Sequence, residues 1–487
     1  MVSVRTWERI ERRKLHVRQR RTRHIRPGDR PDPSRPAGTD MLPQIKHIVV
    51  LMMENHSFDN YLGTLGRGEG LPLGDDGTPD AENPDFSGTM IRAHHAGSTF
   101  QQDGVPSQSW SASHSQWADG KMNGFVTSAE QAVTEGGDKS VAMAYWTDQD
   151  LPFYHGLART FPLADRWFSS CLGPTFPNRR FLLAGTANGL MDDLPLNLLD
   201  RPRAGTIMDM LTRHRISWVN YRPAGKDRSE FHRFLQYRRR RTRHHLTHLG
   251  RPLRATSYEF KRDLQFTAAL YPLGMASYMA HVRSIEQFFA DADSGNLPSF
   301  CIVDPDFKSF SEENPQDLRK GESFAAEVIS RVMHGRGWAN TLLIWTYDEH
   351  GGYYDHVAPP AAVPPDDVPG RSLVAHPSPL RSLLKVLFPS YVRHAEQLVA
   401  GPDAYDTYGF RVPAVIVSPY ARRDCVLSHV FDHTSILKLI EEKWNLPALT
   451  LRDAAATSPL GALDLTTSPA FLTPPQLPAP ALVWGTW

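Results

Sequence analysis

An apolar run, Ile45-Lys46-His47-Ile48-Val49-Val50-Leu51-Met52-Met53, stops abruptly at Glu54-Asn55-His56-Ser57-Phe58-Asp59-Asn60. Only Lys46 and His47 are polar within the run, and β-branched residues fill its middle, the pattern of a strand covered on both faces. Strands of that kind sit in parallel sheets, which need long crossover connections and helices packed on either side. A carboxylate, an amide and an imidazole arrive together at the carboxyl end of this strand. In open α/β sheets ligands bind beyond that edge, so the junction already marks a candidate site.

Two further segments share this grammar. Thr341 to Tyr347 is an apolar strand that ends in Asp348-Glu349-His350-Gly351-Gly352-Tyr353-Tyr354-Asp355-His356, where the glycine pair supplies a sharp turn. Val412 to Tyr420 is a shorter strand that ends in a turn, and Ser299 to Val303, before Asp304-Pro305-Asp306, is a further candidate. Helical periodicity occupies 275–292, 322–333 and 434–444, the last with Asp432 or Thr434 as its cap. The alternation predicts an α/β fold, a mostly parallel central sheet flanked by helices on both faces, with loop-rich insertions over the site.

Charge divides the chain unevenly. Residues 1–40 hold 12 Lys and Arg against 5 Asp and Glu, which leaves a mildly acidic body with 42 against 48. Specific nucleic-acid binding is therefore not expected of the body. Residues 1–40 are read as a basic, disordered tail with a linker at Pro27–Gly38, residues 41–465 as the catalytic domain, and 466–487 as a Pro-rich tail. An Arg- and His-rich insertion interrupts the domain at about 222–270, and its basic run at 238–243 reads more readily as a solvated surface than as an anion patch. Three scattered cysteines, Cys171, Cys301 and Cys425, give neither a disulfide framework nor a zinc motif. No transmembrane segment and no signal-peptide core are read, so a cytoplasmic location is expected.

The chemistry depends on which polar clusters meet. Glu54, Asn55, Asp348 and Glu349 sit at carboxyl ends of strands of one sheet, and acids gathered there would repel unless a cation joined them. Carboxylates with an amide suit a hard divalent ion, Mg²⁺, Ca²⁺ or Mn²⁺, with Zn²⁺ as the alternative. Thr175 stands in Gly173-Pro174-Thr175-Phe176-Pro177-Asn178-Arg179, at the start of a helix, where negative charge and phosphate are favoured. Taken alone, that segment is also an ordinary helix start. Among the histidines, His350 and His356 share a segment with two acids, whereas the isolated His114 and His433 read more readily as hydrogen-bonded structural imidazoles.

Together the segments Ile48–Gly63, Gly173–Gly185, Tyr347–Pro360 and Val412–Ile440 resemble the phosphoesterase family of bacterial phosphatidylcholine-type phospholipases C, plant non-specific phospholipases C and bacterial acid phosphatase, within the alkaline phosphatase superfamily. The resemblance spans about residues 44–465. It implies an alkaline-phosphatase-like fold and a metal-dependent phosphoric ester hydrolase, of phospholipase C type or, alternatively, an acid phosphatase-like phosphomonoesterase. A different class of reading is a non-catalytic phospholipid- or polyanion-binding protein. By the resemblance Thr175 is the nucleophile, and Glu54, Asn55, Asp348 and Glu349 hold the metal together with Thr175. His114, His356 and His350 are its catalytic histidines, and Asn178, His433 and Asn314 contact the substrate. The substrate implied is a phospholipid or another phosphoester, with peripheral membrane contact, and some relatives are secreted. The chain departs from the family at Asn314, where many relatives carry the His of a His-Pro pair. An amide cannot donate a proton as an imidazolium does.

Overall fold

The computed structural model describes residues 28–101, 106–132, 138–193, 201–223, 278, 281–372, 379–387 and 389–485. Six strands form the central sheet: β1 His47–Met53, β2 Trp218–Arg222, β3 Val282–Ser284, β4 Phe300–Val303, β5 Thr341–Tyr347 and β6 Ala414–Val417. They lie in the order β6-β5-β1-β4-β2-β3. All neighbours run parallel except β6, which pairs antiparallel with β5 at the edge. The expected α/β architecture with a mostly parallel sheet is what forms. β1 lies between β4 and β5, and its residues from Ile48 to Met53 are all buried, which explains why it reads as a nearly unbroken apolar run.

Eight helices matter to the site: α1 Phe58–Leu62, α2 Trp110–Trp117, α3 Pro152–Thr160, α4 Thr175–Ala184, α5 Ile207–Arg213, α6 Ile285–Ser294, α7 Leu318–His334 and α8 Thr434–Trp444. Local chemistry sets their ends. Asp317 caps α7 by accepting the Arg319 amide, and Gly185, at φ +69°, stops α4 by donating its amide to the Phe181 carbonyl. His433 occupies the cap position of α8 without a side-chain cap bond, while Asp432 accepts the Thr434 hydroxyl one step earlier.

Two expectations change. The helix predicted from 275 begins only at Ile285, because Val282–Ser284 pairs in parallel with β2 and the Ser284 hydroxyl then caps α6. The basic run at 238–243 lies outside the described residues. Residues 28–40, predicted to be part of a disordered tail and linker, are instead hydrogen bonded along the end of α8. Gly28 donates to Ala448 O, Asn445 holds Asp32 from both sides, and buried Lys443 reaches Asp40 at 2.6 Å. Backbone and ion-pair partners thus substitute for the apolar surface that the segment lacks.

The Pro-rich tail is also held. Phe471 accepts the Trp338 indole N–H, Ala481 donates to the buried Glu322 carboxylate, and the Trp484 ring packs 5.0 Å from Phe310 and 5.4 Å from Phe324. Pro478 lies so close to α3 that a Cβ at Gly156 would come within 2.3 Å of its ring. Among the described residues no helix is long and apolar enough to cross a membrane. Gly156→Ala should therefore lift the tail, costing about 1–3 kcal/mol in urea denaturation and speeding protease cleavage within 466–485. Unchanged stability and cleavage would show that this contact contributes nothing.

Candidate active site

Register builds the site. Met53 pairs with Tyr347, so Glu54 and Asp348 leave the sheet side by side, and Asp304 leaves β4 on the other flank of β1. The Asn55 amide then donates to Asp348 Oδ1 at 3.2 Å, and the Glu349 amide donates to the same oxygen at 2.8 Å. Asn55 takes the left-handed conformation, φ +68°, which Asn tolerates better than most side chains. Gly351, at φ +69°, presses against it so closely that a Cβ there would fall 1.9 Å from the Asn55 carbonyl oxygen. The two polar strand ends predicted to meet do meet.

Between them lies a residue that the sequence did not single out. Arg179, one turn beyond Thr175 on α4, is buried and donates to Asp348 Oδ2 at 3.1 Å and to Asp304 Oδ1 at 2.7 Å. Its Nη2 stands 3.9 Å from Glu54 Oε1. Burial works against its charge, yet Asp348, Asp304 and Glu54 outweigh that and hold its pKa up. Positions i and i+4 share a helix face, so Thr175 lies on the same face of α4 as Arg179. The helix start is held by Asp193, which accepts the Phe176 amide and also faces Glu349 electrostatically.

One guanidinium does not balance this group. Glu54 and Glu349 are driven well above the usual carboxylate range. Burial is the first cause for each, followed by repulsion from Glu313 and Asp348 at Glu54 and from Asp348 at Glu349. Buried polar atoms here also lack hydrogen-bond partners: Glu54 Oε2, Asn55 Oδ1, Glu349 Oε1 and His433 Nδ1. Unpartnered buried oxygens on acids and an amide form a hard donor set, and they fit a divalent cation.

The histidines separate. His433 bonds the Asp348 carbonyl through Nε2 at 2.7 Å, and burial lowers its pKa to about 4. His350 Nε2 bonds Gln116 Oε1 at 2.7 Å, its Nδ1 lies 3.2 Å from Glu349, and burial lowers it to about 3. His114 sits apart from the acids. It bonds the Trp110 carbonyl on its own helix and packs against that indole, which in turn covers Gly173. It is therefore one ring removed from the Thr175 loop.

Two expected substrate contacts are otherwise engaged. The Asn178 amide accepts from Ser170 N and Cys171 N and donates to the carbonyls of Gly173 and Pro174, so it shapes the loop that delivers Thr175. Asn314 exchanges hydrogen bonds with the Tyr353 hydroxyl. Behind it, Glu312 lies buried at φ +79° and accepts hydroxyls from Tyr61, Tyr154 and Tyr347. Burial raises Glu312 to about 8 in spite of those donors.

His356 belongs to a second group. Its Nδ1 lies 2.6 Å from Asp59 Oδ2, and donor atoms of Asp59, Asp355 and His356 all lie within 4.8 Å of one another, a spacing suited to a metal ion. Arg411, fully buried, already bonds both acids, at 2.9 Å to Asp59 and 2.9 Å to Asp355, and supplies the positive charge there. The unpartnered oxygens lie instead with Glu54, Asn55 and Glu349.

Sequence reasoning passed over Arg179, Glu313, Gln116, Asp59 and Arg411. For Arg179 the signal was available as helical spacing from Thr175. For the others only three-dimensional proximity reveals the role.

A model of the Phosphoesterase family matches residues 45–447. Non-specific phospholipase C6 of Arabidopsis thaliana is 28% identical over 458 residues, covering 89% of this chain and 75% of that protein. Phospholipase C A of Mycobacterium tuberculosis is 28% identical over 468 residues, covering 91% and 80%. Among solved structures, a Vibrio parahaemolyticus protein in the alkaline phosphatase superfamily aligns over 87% of this chain and 72% of its own, at 10% identity and a TM-score of 0.37.

Two measurements test this electrostatic picture. Arg179→Met leaves Asp348 and Asp304 buried without their cation and should cost about 3–5 kcal/mol in chemical denaturation. A loss near zero would mean that the acids are already neutral. Glu312 is protonated in the fold up to about pH 8, whereas the unfolded chain releases that proton near 4.5. Its contribution is thus fully present below pH 4.5 and is lost as pH rises to about 8, at no more than about 1.4 kcal/mol per pH unit. Glu312→Gln should flatten that part of the stability profile, and an unaltered slope would refute the assignment.

Proposed function

We propose that this chain, which belongs to the Phosphoesterase family, is a phosphoric ester hydrolase that cleaves phosphodiesters of the phospholipase C type through Thr175. The observation that carries the reading is the meeting of Glu54-Asn55 with Asp348-Glu349 at two paired strand ends, with Thr175 and Arg179 on one face of the adjoining helix. The phospholipases C named above, matched over most of their length, support the choice of ester.

Glu54, Asn55 and Glu349, with Asp348 and Thr175, would hold a divalent cation, magnesium, calcium or manganese in preference to zinc. Such an ion, when bound, lowers the pKa of the Thr175 hydroxyl and offsets the charge of the phosphate. The remaining work falls to the chain. Arg179 fixes the Asp348 carboxylate and tethers α4 to the sheet, while Asn178 holds the 170–174 loop so that Thr175 faces the acids. The positive end of the α4 dipole at Thr175 favours the phosphate anion. His350 and His433, kept neutral by burial, orient the loops on which Glu349 and Asp348 sit. Attack by Thr175 on phosphorus displaces an alcohol, and water then hydrolyses the phosphothreonine. A phospholipid substrate would be taken from a membrane surface by peripheral contact.

Hydrolysis of p-nitrophenylphosphorylcholine tests this directly. Folded Thr175→Ala should lose at least about 10³-fold in kcat/KM, and retention of the wild-type rate would end the proposal. Chelation should abolish turnover and manganese or magnesium restore it. Faster turnover of p-nitrophenyl phosphate than of the diester would reassign the enzyme to monoesters.

A further inference from the structure

The start of α4 carries an acid to which the proposed reaction gives no part. Asp193 Oδ1 accepts the Phe176 amide at 3.0 Å, one residue beyond Thr175 in the chain. Phe176 is the second residue of α4, and an amide at that position is one that a helix start otherwise offers to an anion. A carboxylate therefore sits where phosphate would be favoured, beside the proposed nucleophile. It is half-buried, so solvent screens its charge only in part.

Asp193 is not alone in its sign. It adds to the repulsion felt by Glu349, and so does Glu313. Glu313 is also the foremost charged influence on Glu54. The turn that bears it is fixed there, because Ser311 O accepts the Glu54 amide at 3.2 Å and Gln316 Oε1 accepts the Ser311 and Glu312 amides. Negative charge thus borders the cluster at the helix start and again at the 311–316 turn. The guanidinium among these acids is already committed. Arg179 Nε and Nη1 donate to Asp348 and Asp304, and Nη2 donates to the carbonyls of Met52 and Met53. Asn314, on the same turn as Glu313, is neutral and bonded to Tyr353.

Phosphate esters differ in what they ask of such a site. Above a second pKa of about 6 a monoester carries close to two negative charges, and its three terminal oxygens all seek donors. A diester carries a single charge on two terminal oxygens. The charge of a divalent cation held by Glu54, Asn55, Asp348 and Glu349 is largely offset by those acids. The second charge of a monoester then meets Asp193 and Glu313, while Arg179 stays bonded to the protein.

We propose that Asp193 is the specificity-determining residue that turns phosphomonoester dianions away and leaves the phosphodiester monoanion as the substrate of this site. The inference deepens the phosphodiesterase reading above and rests on it. Asp193 acts on the charge of the ester and not on the bond that breaks, so it discriminates before any chemistry occurs. Glu313 adds to the same field from the 311–316 turn. At the effective dielectric of about 20 that suits partly buried charges, removing such a carboxylate changes affinity by about tenfold for each unit of ligand charge.

Two esters that share a leaving group provide the test: p-nitrophenyl phosphate and methyl p-nitrophenyl phosphate differ by a methyl group and a charge. In Asp193→Asn the side-chain carbonyl can still accept the Phe176 amide, so the helix start is kept while the charge is lost. At about pH 8 the kcat/KM of this variant should rise about tenfold more for the monoester than for the diester. The wild-type ratio of monoester to diester kcat/KM should also fall as pH climbs through about 6, and Asp193→Asn should flatten that fall. A ratio equal to that of the wild type overturns the proposal, because a residue that merely caps α4 would move both rates together. Should Asp193→Asn not fold, inhibition of the wild-type diesterase by phenyl phosphate decides. Inhibition that weakens above about pH 6 supports the proposal, and inhibition that tightens or holds constant overturns it. Faster wild-type turnover of p-nitrophenyl phosphate than of p-nitrophenylphosphorylcholine ends the parent reading instead. A wild type that prefers the diester, with a ratio unmoved in Asp193→Asn, leaves that reading standing and ends only the role of Asp193.

Discussion

The parallel pairing of β1 with β5 is the constraint from which the site follows. Each strand ends one residue before an acid, and because Met53 and Tyr347 are register partners, the acids emerge together and their successors turn into facing loops. A slip by one residue would turn every side chain of β1 to the other face and exchange buried Val and Ile positions across the sheet. The hydrophobic core on both sides therefore enforces the alignment of Glu54 with Asp348. Precision at the polar edge is inherited from apolar packing.

That alignment creates an electrostatic debt, and the chain settles it unevenly. Arg179 neutralises the side of the cluster facing Asp348 and Asp304, where its guanidinium lies within hydrogen-bond reach of both. On the other side Glu54 and Glu349 remain repelled and incompletely bonded. A few residues away, Arg411 donates to both Asp59 and Asp355 and offsets part of their charge. The same arrangement of two acids and one arginine therefore gives two outcomes. Around Arg411 the acids hold an imidazole in place, whereas the unpartnered oxygens of Glu54, Asn55 and Glu349 form a donor set that fits a cation.

The sequence made the sheet readable because its strands are apolar on both faces and end at polar clusters. β5 spans the predicted residues from Thr341 to Tyr347, and α8 the predicted 434–444. β2 escaped because Trp218-Val219-Asn220-Tyr221 contains a buried Asn that interrupts the apolar pattern, an Asn that bonds Asp304. The start of α6 was misjudged because Val282-Arg283-Ser284 continues a helical periodicity while its backbone pairs with β2. Among site residues, those at strand ends were legible from position alone. For Asn178 sequence could not separate the alternatives, because an amide after a loop looks the same whether it faces a ligand or folds back onto Ser170 and Gly173. Arg411 gave no local signal, since its partners lie roughly 55 and 350 residues away.

The central position of β1 also shapes how the molecule must be made. Its neighbours begin at Phe300 and Thr341, so about 250 residues of chain separate it from the first strand with which it can pair. During synthesis at roughly 5–20 residues per second, this apolar strand waits tens of seconds with both edges open. Non-local parallel pairing of this kind slows folding and leaves unpaired edges exposed to other chains. The strand that sets the register of the site thus waits longest in the open, although Ile48 to Met53 are all buried once the sheet has formed.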